Sequence, residues 1–399
     1  MTLLSNSKVK QLLVKLIGSF LIKVLEMVNF FHPLRFSFLD GLRIGQLTIF
    51  PETYLRERER GEHRELSGVT HIFFSEKACN KTLMGLIKRK ISVVESNWIY
   101  RSIMRLEEIR KHPLFYEIDI SKRGLHYHSH FLKVEGMSHQ LSFSDEEERI
   151  GQQFLKEMGL GESDWFVCFH NRDPTYLNAL PGESRFNYHN YRDSSISEYL
   201  SAIEWLSSTQ GAFCFRMGEK TSEPLPSGLN LRVIDYASQY RSDFLDIYLL
   251  SKAKFVIGTS CGLMQVPSIF NTPIAFVNMI SVDVHGYSKR DLFIPKKLVW
   301  KESRKPLRYT EILSLGAESW SRGEQYEEAG IEVVENSSAE ILELVQEMLQ
   351  HIDGTLELSN EYLSNFQLFR KHFDSRHFCS QIEVYVSPQF LKNSPELYQ

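Results

Sequence analysis

Four consecutive residues, His170, Asn171, Arg172 and Asp173, bring an acid/base pair and a fork of hydrogen-bond donors directly behind the apolar run FVCF (166–169). A core strand that stops on reactive side chains presents them at a sheet edge, where ligands of open α/β sheets bind. His170 and Asp173 are candidates for a general base. Arg172 is a candidate for forked hydrogen bonds to an anion. Further along, GTSCG (258–262) follows the apolar run FVI (255–257). Gly258 and Gly262 let backbone approach a ligand, and Thr259 and Ser260 supply hydroxyls. A helix expected over 262–270 turns free N–H groups and its positive dipole end on the same place. That combination suits a diphosphate, with Arg172 and Arg216 neutralising its charge.

The elements that must position these residues repeat one pattern. WFVCF (165–169), AFCFR (212–216), LRVID (231–235), FVIGT (255–259), PIAFV (273–277) and IEVVE (331–335) are short β-rich runs. Between most of them lie helical patterns: one opened by a capping box at Ser195 and Glu198, one over 241–253, and the one over 262–270. Apolar strands alternating with amphipathic helices predict a parallel sheet covered on both faces. The first run delivers His170, Arg172 and Asp173, the second Arg216 and Gly218, the third Asp235, the fourth the glycine turn and the fifth Asn278. All fall at one rim. The link over 178–195 is long for a simple connection, and its Tyr188, His189, Tyr191 and Arg192 favour a functional loop. Tyr176 and Arg192 thus join Arg172, Arg216, Gly218, Asp235, Gly258, Thr259, Ser260 and Gly262 as ligand-binding candidates.

A capping box at Ser144 and Glu147, with Gly159 and Gly161 beyond its helix, marks a junction. Before it, a strand-like run after Pro33, VTHIFFS (69–75) and ISVVE (91–95), with a basic amphipathic helix over 81–90, predict a smaller α/β domain. The chain then divides into a helix over 1–33, an N-terminal domain over 34–145, a C-terminal domain over 146–354 and a helical tail over 355–399. In the first segment Lys8, Gln11, Lys15, Ser19, Lys23, Glu26 and Asn29 form one polar stripe on an otherwise apolar helix. Its charges disfavour a membrane-spanning helix. Two placements fit it: the surface of a membrane, reached through residues 8–31, and the protein's own body.

The whole sequence, 399 residues with 42% hydrophobic and 24% charged, has room for two ordinary cores. A net charge of −4 and a pI near 6.4 argue against a nucleic-acid partner. The five cysteines are widely spaced with no CxxC pair, which disfavours a zinc site or a disulfide framework and suits a reducing compartment. Walker A, GxGxxG and GxSxG patterns are missing, so ATP hydrolysis, hydride transfer and serine hydrolysis lose ground. With no DxD element, no metal is expected, and arginines and a helix start take over its work. The ERER run (57–60) reads as a solvated face, and Asp243 and Asp246 as helix N-terminal charges.

FVCFHNRDPTYLN (166–178), YHNYRDSSISEYLSAIEWL (188–206), FRMGE (215–219), VIDYASQYRSDFLDIYLLSKAKFVIGTSCGL (233–263) and DLFIPKKL (291–298) together resemble a family of bacterial glycosyltransferases associated with surface-polysaccharide genes. RIGQLTIFPETYLRERERG (43–61) is similar to that family's opening motif and IEVVENSSAEI (331–341) to its closing one, so the resemblance spans about 40–350. The family pattern commonly has His where Gln46 stands and Asn where Asp193 stands. The resemblance implies the GT-B architecture: two Rossmann-like domains facing a cleft, a nucleotide-sugar donor on the C-terminal one, and no cofactor. It assigns the candidates above to donor binding and turns Arg43 and Gly45 toward the cleft from the N-terminal domain. The expected activity is a cytoplasmic transfer of sugar to a lipid-linked or polysaccharide acceptor, docked on the inner membrane face. A nucleotide-sugar epimerase or hydrolase, and a non-catalytic glycan-binding scaffold, are the competing readings.

Overall fold

The computed structural model describes residues 16, 18–20, 22–104, 110–116, 136–173, 187–219, 223–280, 288–372 and 385–398. Two compact units divide the chain: residues 1–124 with 137–142, and residues 125–136 with 143–399. Both are mixed α/β, and their main sheets are parallel.

In the first unit β1 (Leu34–Leu39), β2 (Thr70–Ser75) and β3 (Ser92–Glu95) pair in chain order, with α1 (Ile44–Glu59), α2 (Lys81–Lys88) and α3 (Asn97–Met104) following the strands. Leu34, Phe36 and Leu114 are buried together, and Leu25 from the N-terminal helix packs against them with Ile72, Phe74 and Phe115. That helix runs through residues 22–31. One side of it therefore rests on the protein's own core. Leu16, Phe20, Met27, Phe30 and Phe31 are 59–83% exposed. At 100° per residue these five fall within one arc roughly opposite Leu25. No helix among the described residues is long and apolar enough to cross a membrane.

The charged segment behind β1 departs from its expected form. It is the helix α1, and Glu52, Arg56 and Glu57 are buried in it, so ERER is a solvated face only over Arg58–Arg60. Hydrogen bonding explains how. Arg56 Nε donates to Glu52 Oε1 at 2.7 Å, and both side chains are fully buried. The same carboxylate accepts the backbone N–H groups of Gln140 (2.7 Å) and Leu141 (3.1 Å). Glu57 takes His63 Nε2 at 2.8 Å, and His63 Nδ1 lies 2.7 Å from the Tyr116 hydroxyl. Nearby, Ser37 donates its proton to the Tyr116 carbonyl, so His71 Nε2–H must donate to Ser37 Oγ while His71 Nδ1 accepts from Tyr54. Burial, followed by the charges of Arg58 and His63, pushes His71 down to about 4, in keeping with that neutral ring.

In the second unit α4 (Asp145–Glu157) starts on the Ser144 capping box, where Glu147 Oε2 accepts the Ser144 N–H at 2.7 Å. The chain continues through β4 (Phe166–His170), α5 (Leu200–Glu204), β5 (Phe213–Arg216), β6 (Val233–Ile234), α6 (Asp243–Lys252), β7 (Val256–Gly258), α7 (Gln265–Ile269), β8 (Ile274–Met279), β9 (Leu292–Pro295), β10 (Lys297–Trp300), β11 (Ile331–Val334), α8 (Ser338–Ile352), α9 (Asn360–Lys371) and β12 (Tyr385–Val386). Seven strands form one sheet in the order β6-β5-β4-β7-β8-β9-β12, parallel throughout. The chain builds outward from β4 to β6, then crosses back to β7 on the other side of β4. The order reverses between β4 and β7, and parallel pairing there sets His170 level with Gly258. Every residue of β5, β7 and β8 is buried, as two-sided cover by helices requires.

Several elements differ from the sequence reading. IEVVE does not join the parallel sheet: β11 pairs antiparallel with β10 in a separate ribbon, and three of its four residues are only half-buried. LRVID contracts to two residues at an edge, where Leu231 is 97% exposed. The 355–399 tail contributes β12 to the main sheet as well as helix. The helix after Ser195 is a 3₁₀ turn (Ile196–Tyr199), then α5, then a π-helical turn (Trp205–Thr209). Its capping box is not formed. Glu198 instead accepts the Ser338 N–H at the start of α8, while Glu335 accepts the Ser195 N–H, so the two helix starts exchange caps. Asp243 and Asp246 do stand in the first turn of α6, as read, and Asp246 is also buried: it accepts from Tyr236 at 2.8 Å and pairs with Arg241 at 3.0 Å, and burial raises its carboxyl to about 6.

The buried Arg56–Glu52 pair makes one stability prediction. Arg56→Met should cost about 3–5 kcal/mol, because the Glu52 charge stays buried without its counter-ion. Urea unfolding measures this, and a loss below about 1 kcal/mol would put the pair in the class of exposed ion pairs.

Candidate functional site

The β4/β7 reversal is where a doubly wound sheet leaves a crevice at its strand ends. Most of the sequence-derived candidates fall on the loops around it. His170 ends β4 and Gly258 ends β7; Arg216 ends β5, and Asp235 directly follows β6. Arg192 sits on the 3₁₀ segment Asn187–Arg192, which returns to the same rim. Tyr176 lies outside the described residues. Arg43 and Gly45 belong to the other unit, at the start of α1, where Arg43 is exposed and Gly45 half-buried.

Contacts knit the rim together. Arg172, 9% exposed, forms an ion pair with Asp193. Its carbonyl accepts the Ser194 N–H at 2.9 Å, and Asn171 Nδ2 donates to the Ser194 carbonyl at 2.9 Å. Arg192 donates to the Ser260 carbonyl and lies 3.3 Å from its hydroxyl. Residues 191–194 thus form a strap that ties the loop after β4 to the turn after β7. Lys296, between β9 and β10, fastens the strap from beneath: its buried Nζ donates to the carbonyls of Tyr191 (3.2 Å) and Asp193 (2.5 Å). Burial, opposed by Glu335 and reinforced by Arg172, lowers that ammonium to about 8. Burial likewise lowers Arg172 to about 10, with Arg192 adding to the effect and Cys261, Tyr191 and Asp173 opposing it. Both groups stay cationic at neutral pH.

His170 Nδ1 lies 3.0 Å from the Met217 carbonyl, which can only accept, so Nδ1 carries a proton. Cys261, three residues beyond Gly258, adds its charge to the surroundings of the ring. Burial alone would lower the imidazole. The charge and hydrogen bond of Cys261, the Met217 carbonyl and Asp173 outweigh it, and its pKa rises above the usual 6.5.

Arg216 stands apart from the other arginines. It has no exposed surface, and among the described residues none of its three guanidinium nitrogens has a hydrogen-bond partner. Its nearest counter-charge is Asp235 Oδ2 at 3.9 Å, and Asp235 Oδ1 is itself buried without a partner. Asp173 and Glu223 add favourable charge, yet burial still wins and lowers the arginine. After Met217, Gly218 turns the chain at φ 145°, a conformation that side chains avoid.

The glycine turn behaves differently from its expected form. A Cβ on Gly258 would lie 2.4 Å from the Met264 sulfur, so this glycine makes room for the turn's own packing rather than for a ligand. Thr259 is buried and donates to the Asn278 carbonyl at 3.2 Å. The helix expected over 262–270 is a 3₁₀ turn, Gly262–Met264, followed by five residues of α7. Pro267 lacks an N–H, and so short a helix has little macrodipole to offer an anion. Lys296 and the cap exchange at Ser195 escaped the sequence reading. A lysine closing the buried run LFIP was the available signal for the first.

Fold and site together define a doubly wound α/β unit with a cationic, polar rim at its switch point. No protein-family model and no curated protein matches the chain. Solved structures similar to it include a glycosyl transferase family 9 protein from Veillonella parvula DSM 2008, 12% identical over 79% of this chain and 97% of that one, with a TM-score of 0.46. They also include E. coli ADP-heptose lps heptosyltransferase II, at 11% identity, 65% and 90% coverage and a TM-score of 0.43. The dodecameric iron-containing heptosyltransferase TibC of enterotoxigenic E. coli H10407, in complex with ADP-D-beta-D-heptose, gives 12%, 80% and 77%, and 0.40. At TM-scores this low, the likenesses carry no inference about activity. Among the described residues no cluster of three or more His, Cys, Asp or Glu could hold a metal ion.

The strap makes the next prediction. Lys296→Met leaves two carbonyls without their donor and should cost about 1–3 kcal/mol of stability. Hydrogen exchange at the Ser194 amide should quicken with it. Unchanged protection of that amide would show that the strap does not depend on Lys296.

Proposed function

We propose that the chain is a glycosyltransferase of the GT-B kind, taking a nucleotide-sugar donor at the rim of its second unit and passing the sugar to a glycan or lipid-linked acceptor in cell-surface polysaccharide synthesis. The observation that carries this reading is Arg216, a fully buried guanidinium without one hydrogen bond among the described residues, at the end of β5 beside β4 of the switch point. An unsatisfied buried charge costs several kcal/mol, roughly, and is retained where a ligand satisfies it. An anion at this rim would meet Arg216, Arg172 and Arg192 together, with backbone from Gly218 and Gly262 and the hydroxyl of Ser260, whereas Gly258 and Thr259 serve the packing of the turn. Because Arg216 has no exposed surface, the side chains over it must move when the ligand enters.

In this reading the arginines stabilise the diphosphate as it departs, which is the charge that grows in the transition state. His170 Nδ1 is committed to the Met217 carbonyl, so in this reading His170 holds the turn and Asp173 is the general base. Asp235 has a free acceptor oxygen that a phosphate cannot satisfy but a hydroxyl or N–H of the nucleoside can. Tyr176 belongs to the same donor site, and Arg43 and Gly45 to the acceptor side. The motifs shared with the polysaccharide-associated glycosyltransferases support the donor class. The exposed stripe of Leu16, Phe20, Met27, Phe30 and Phe31, with Lys23 beside it, supports docking on an anionic membrane surface from the cytoplasmic side.

Thermal shift with ADP, GDP, UDP and CDP tests the donor site. One of them at a hundred times its Kd should add about 2.7 kcal/mol of stability. Arg216→Met should abolish that gain while leaving the ligand-free protein as stable or more so, by up to about 4 kcal/mol, because a buried charge held only by a distant counter-ion and no hydrogen bond among the described residues is removed. A variant that loses stability without ligand would make Arg216 a structural residue. No stabilisation by any nucleotide would favour a glycan-binding scaffold, and nucleotide release from a nucleotide-sugar without acceptor would favour a hydrolase. For the helix, co-sedimentation with phosphatidylserine-containing vesicles should be lost in Phe20→Glu/Phe31→Glu. Equal sedimentation of variant and wild type would remove the membrane from the proposal.

A further inference from the structure

The three arginines of the rim are held in three different ways. Arg216 has no hydrogen bond among the described residues. Arg192 donates to the Ser260 carbonyl, a neutral acceptor. Arg172 donates to an anion, the carboxylate of Asp193, in an ion pair whose side chains are 10% and 20% exposed. A phosphate arriving at the rim therefore finds one guanidinium without a hydrogen-bond partner, one on a carbonyl and one already on a charge of its own sign.

The strap does not need that carboxylate to keep its course. The Asp193 N–H donates to the Asn190 carbonyl at 2.9 Å, and the Asp193 carbonyl accepts Lys296 Nζ at 2.5 Å. The next residue, Ser194, donates its N–H to the Arg172 carbonyl at 2.9 Å and accepts from Asn171 Nδ2 at 2.9 Å. Backbone on both sides of the Asp193 side chain is thus fixed by other groups. Among the described residues the carboxylate hydrogen-bonds to Arg172 and to no other group. A rotation of this one side chain frees the guanidinium while the strap stays where it is. Arg172 itself is 9% exposed, and a buried guanidinium left without an anion is strongly destabilised. The carboxylate can therefore leave only as another anion takes its place.

We propose that Asp193 is a built-in competitor of the ligand's phosphates: its carboxylate neutralises Arg172 in the ligand-free protein, is exchanged for a phosphate on binding, and so sets the affinity of the rim. This inference rests on the reading of the rim as a diphosphate site. The gain at Arg172 is then the difference between two charge-assisted contacts, not the whole of one. Arg216 loses no hydrogen bond when the ligand enters, and Arg192 loses a neutral one. Asp193 is accordingly an affinity-determining residue whose removal strengthens binding, the reverse of what a supporting residue does.

The test is calorimetric titration of the full chain with ADP, GDP, UDP, CDP and pyrophosphate, on wild type, Asp193→Asn and Asp193→Glu. Asparagine keeps the shape and an acceptor oxygen but not the charge. The ligand that wild type binds best should bind Asp193→Asn about tenfold more tightly, as removal of one competing charge-assisted contact requires. Asp193→Glu, which keeps the charge, should stay close to wild type. Equal or weaker binding by a folded Asp193→Asn, with wild type still binding, overturns the proposal and leaves the diphosphate site standing. No binding by wild type or either variant removes the site itself, and the competitor with it. Should Asp193→Asn not fold, the carboxyl-carbon resonance of Asp193 in wild type serves instead. It should move as the best ligand is added, and a resonance that stays in place at saturation refutes the exchange.

Discussion

The backbone pairing of β4 with β7 is the constraint on which the rest of the site depends. Two strands far apart in sequence lie side by side and parallel, with His170 opposite Gly258. Because they are parallel, both chains leave the sheet on the same side, and the loops that follow must share one rim. A shift of one residue would turn His170 to the other face of the sheet. That register is secured by burial rather than by any polar contact: Phe166–Phe169 and Val256–Gly258 are covered by helices on both faces.

On that foundation the rim is assembled by contacts among cationic side chains, a carboxylate and backbone carbonyls. Arg172 and Arg192 are restrained by Asp193 and Ser260, and Lys296 is buried to hold the strap. Arg216 is not restrained by any hydrogen bond. The contrast with the first unit is informative. There the buried Arg56 has Glu52 at 2.7 Å, and Glu52 in turn answers two backbone amides, so this pair is satisfied internally. One unit encloses a completed network; the other keeps an open valence.

The sequence was most legible where one force dominates. Short runs such as FCFR and VIG declare themselves because two-sided burial demands unbroken hydrophobicity, and Ser144 and Ser337 declare helix starts because their capping boxes are local. It was least legible where the deciding partner is distant. Glu198 sits three residues after Ser195 as a capping box requires, but its carboxylate reaches Ser338 instead. Charge in α1 suggested solvent, and only the fold supplies the Gln140 and Leu141 amides that let Glu52 be buried. β12 is two residues long and pairs only with β9, too brief a signal to be seen in the tail. At the rim the residue types were readable, whereas which arginine lacks a partner was not.

The exchange of caps between Ser195 and Ser338 has a consequence for how the protein is made. The strap that carries Arg192 leans on Glu335, and its following helix start gives Glu198 to α8, more than a hundred residues further on. A ribosome delivers the chain from its N-terminus, and early parts fold as they emerge. The first unit can close while the second is still being translated. The rim has to wait for α8, and the sheet beneath it for β12 near the very end. A nascent chain lacking α8 and β12 would hold the rim arginines without the scaffold that positions them, so the rim is set only after both elements have joined.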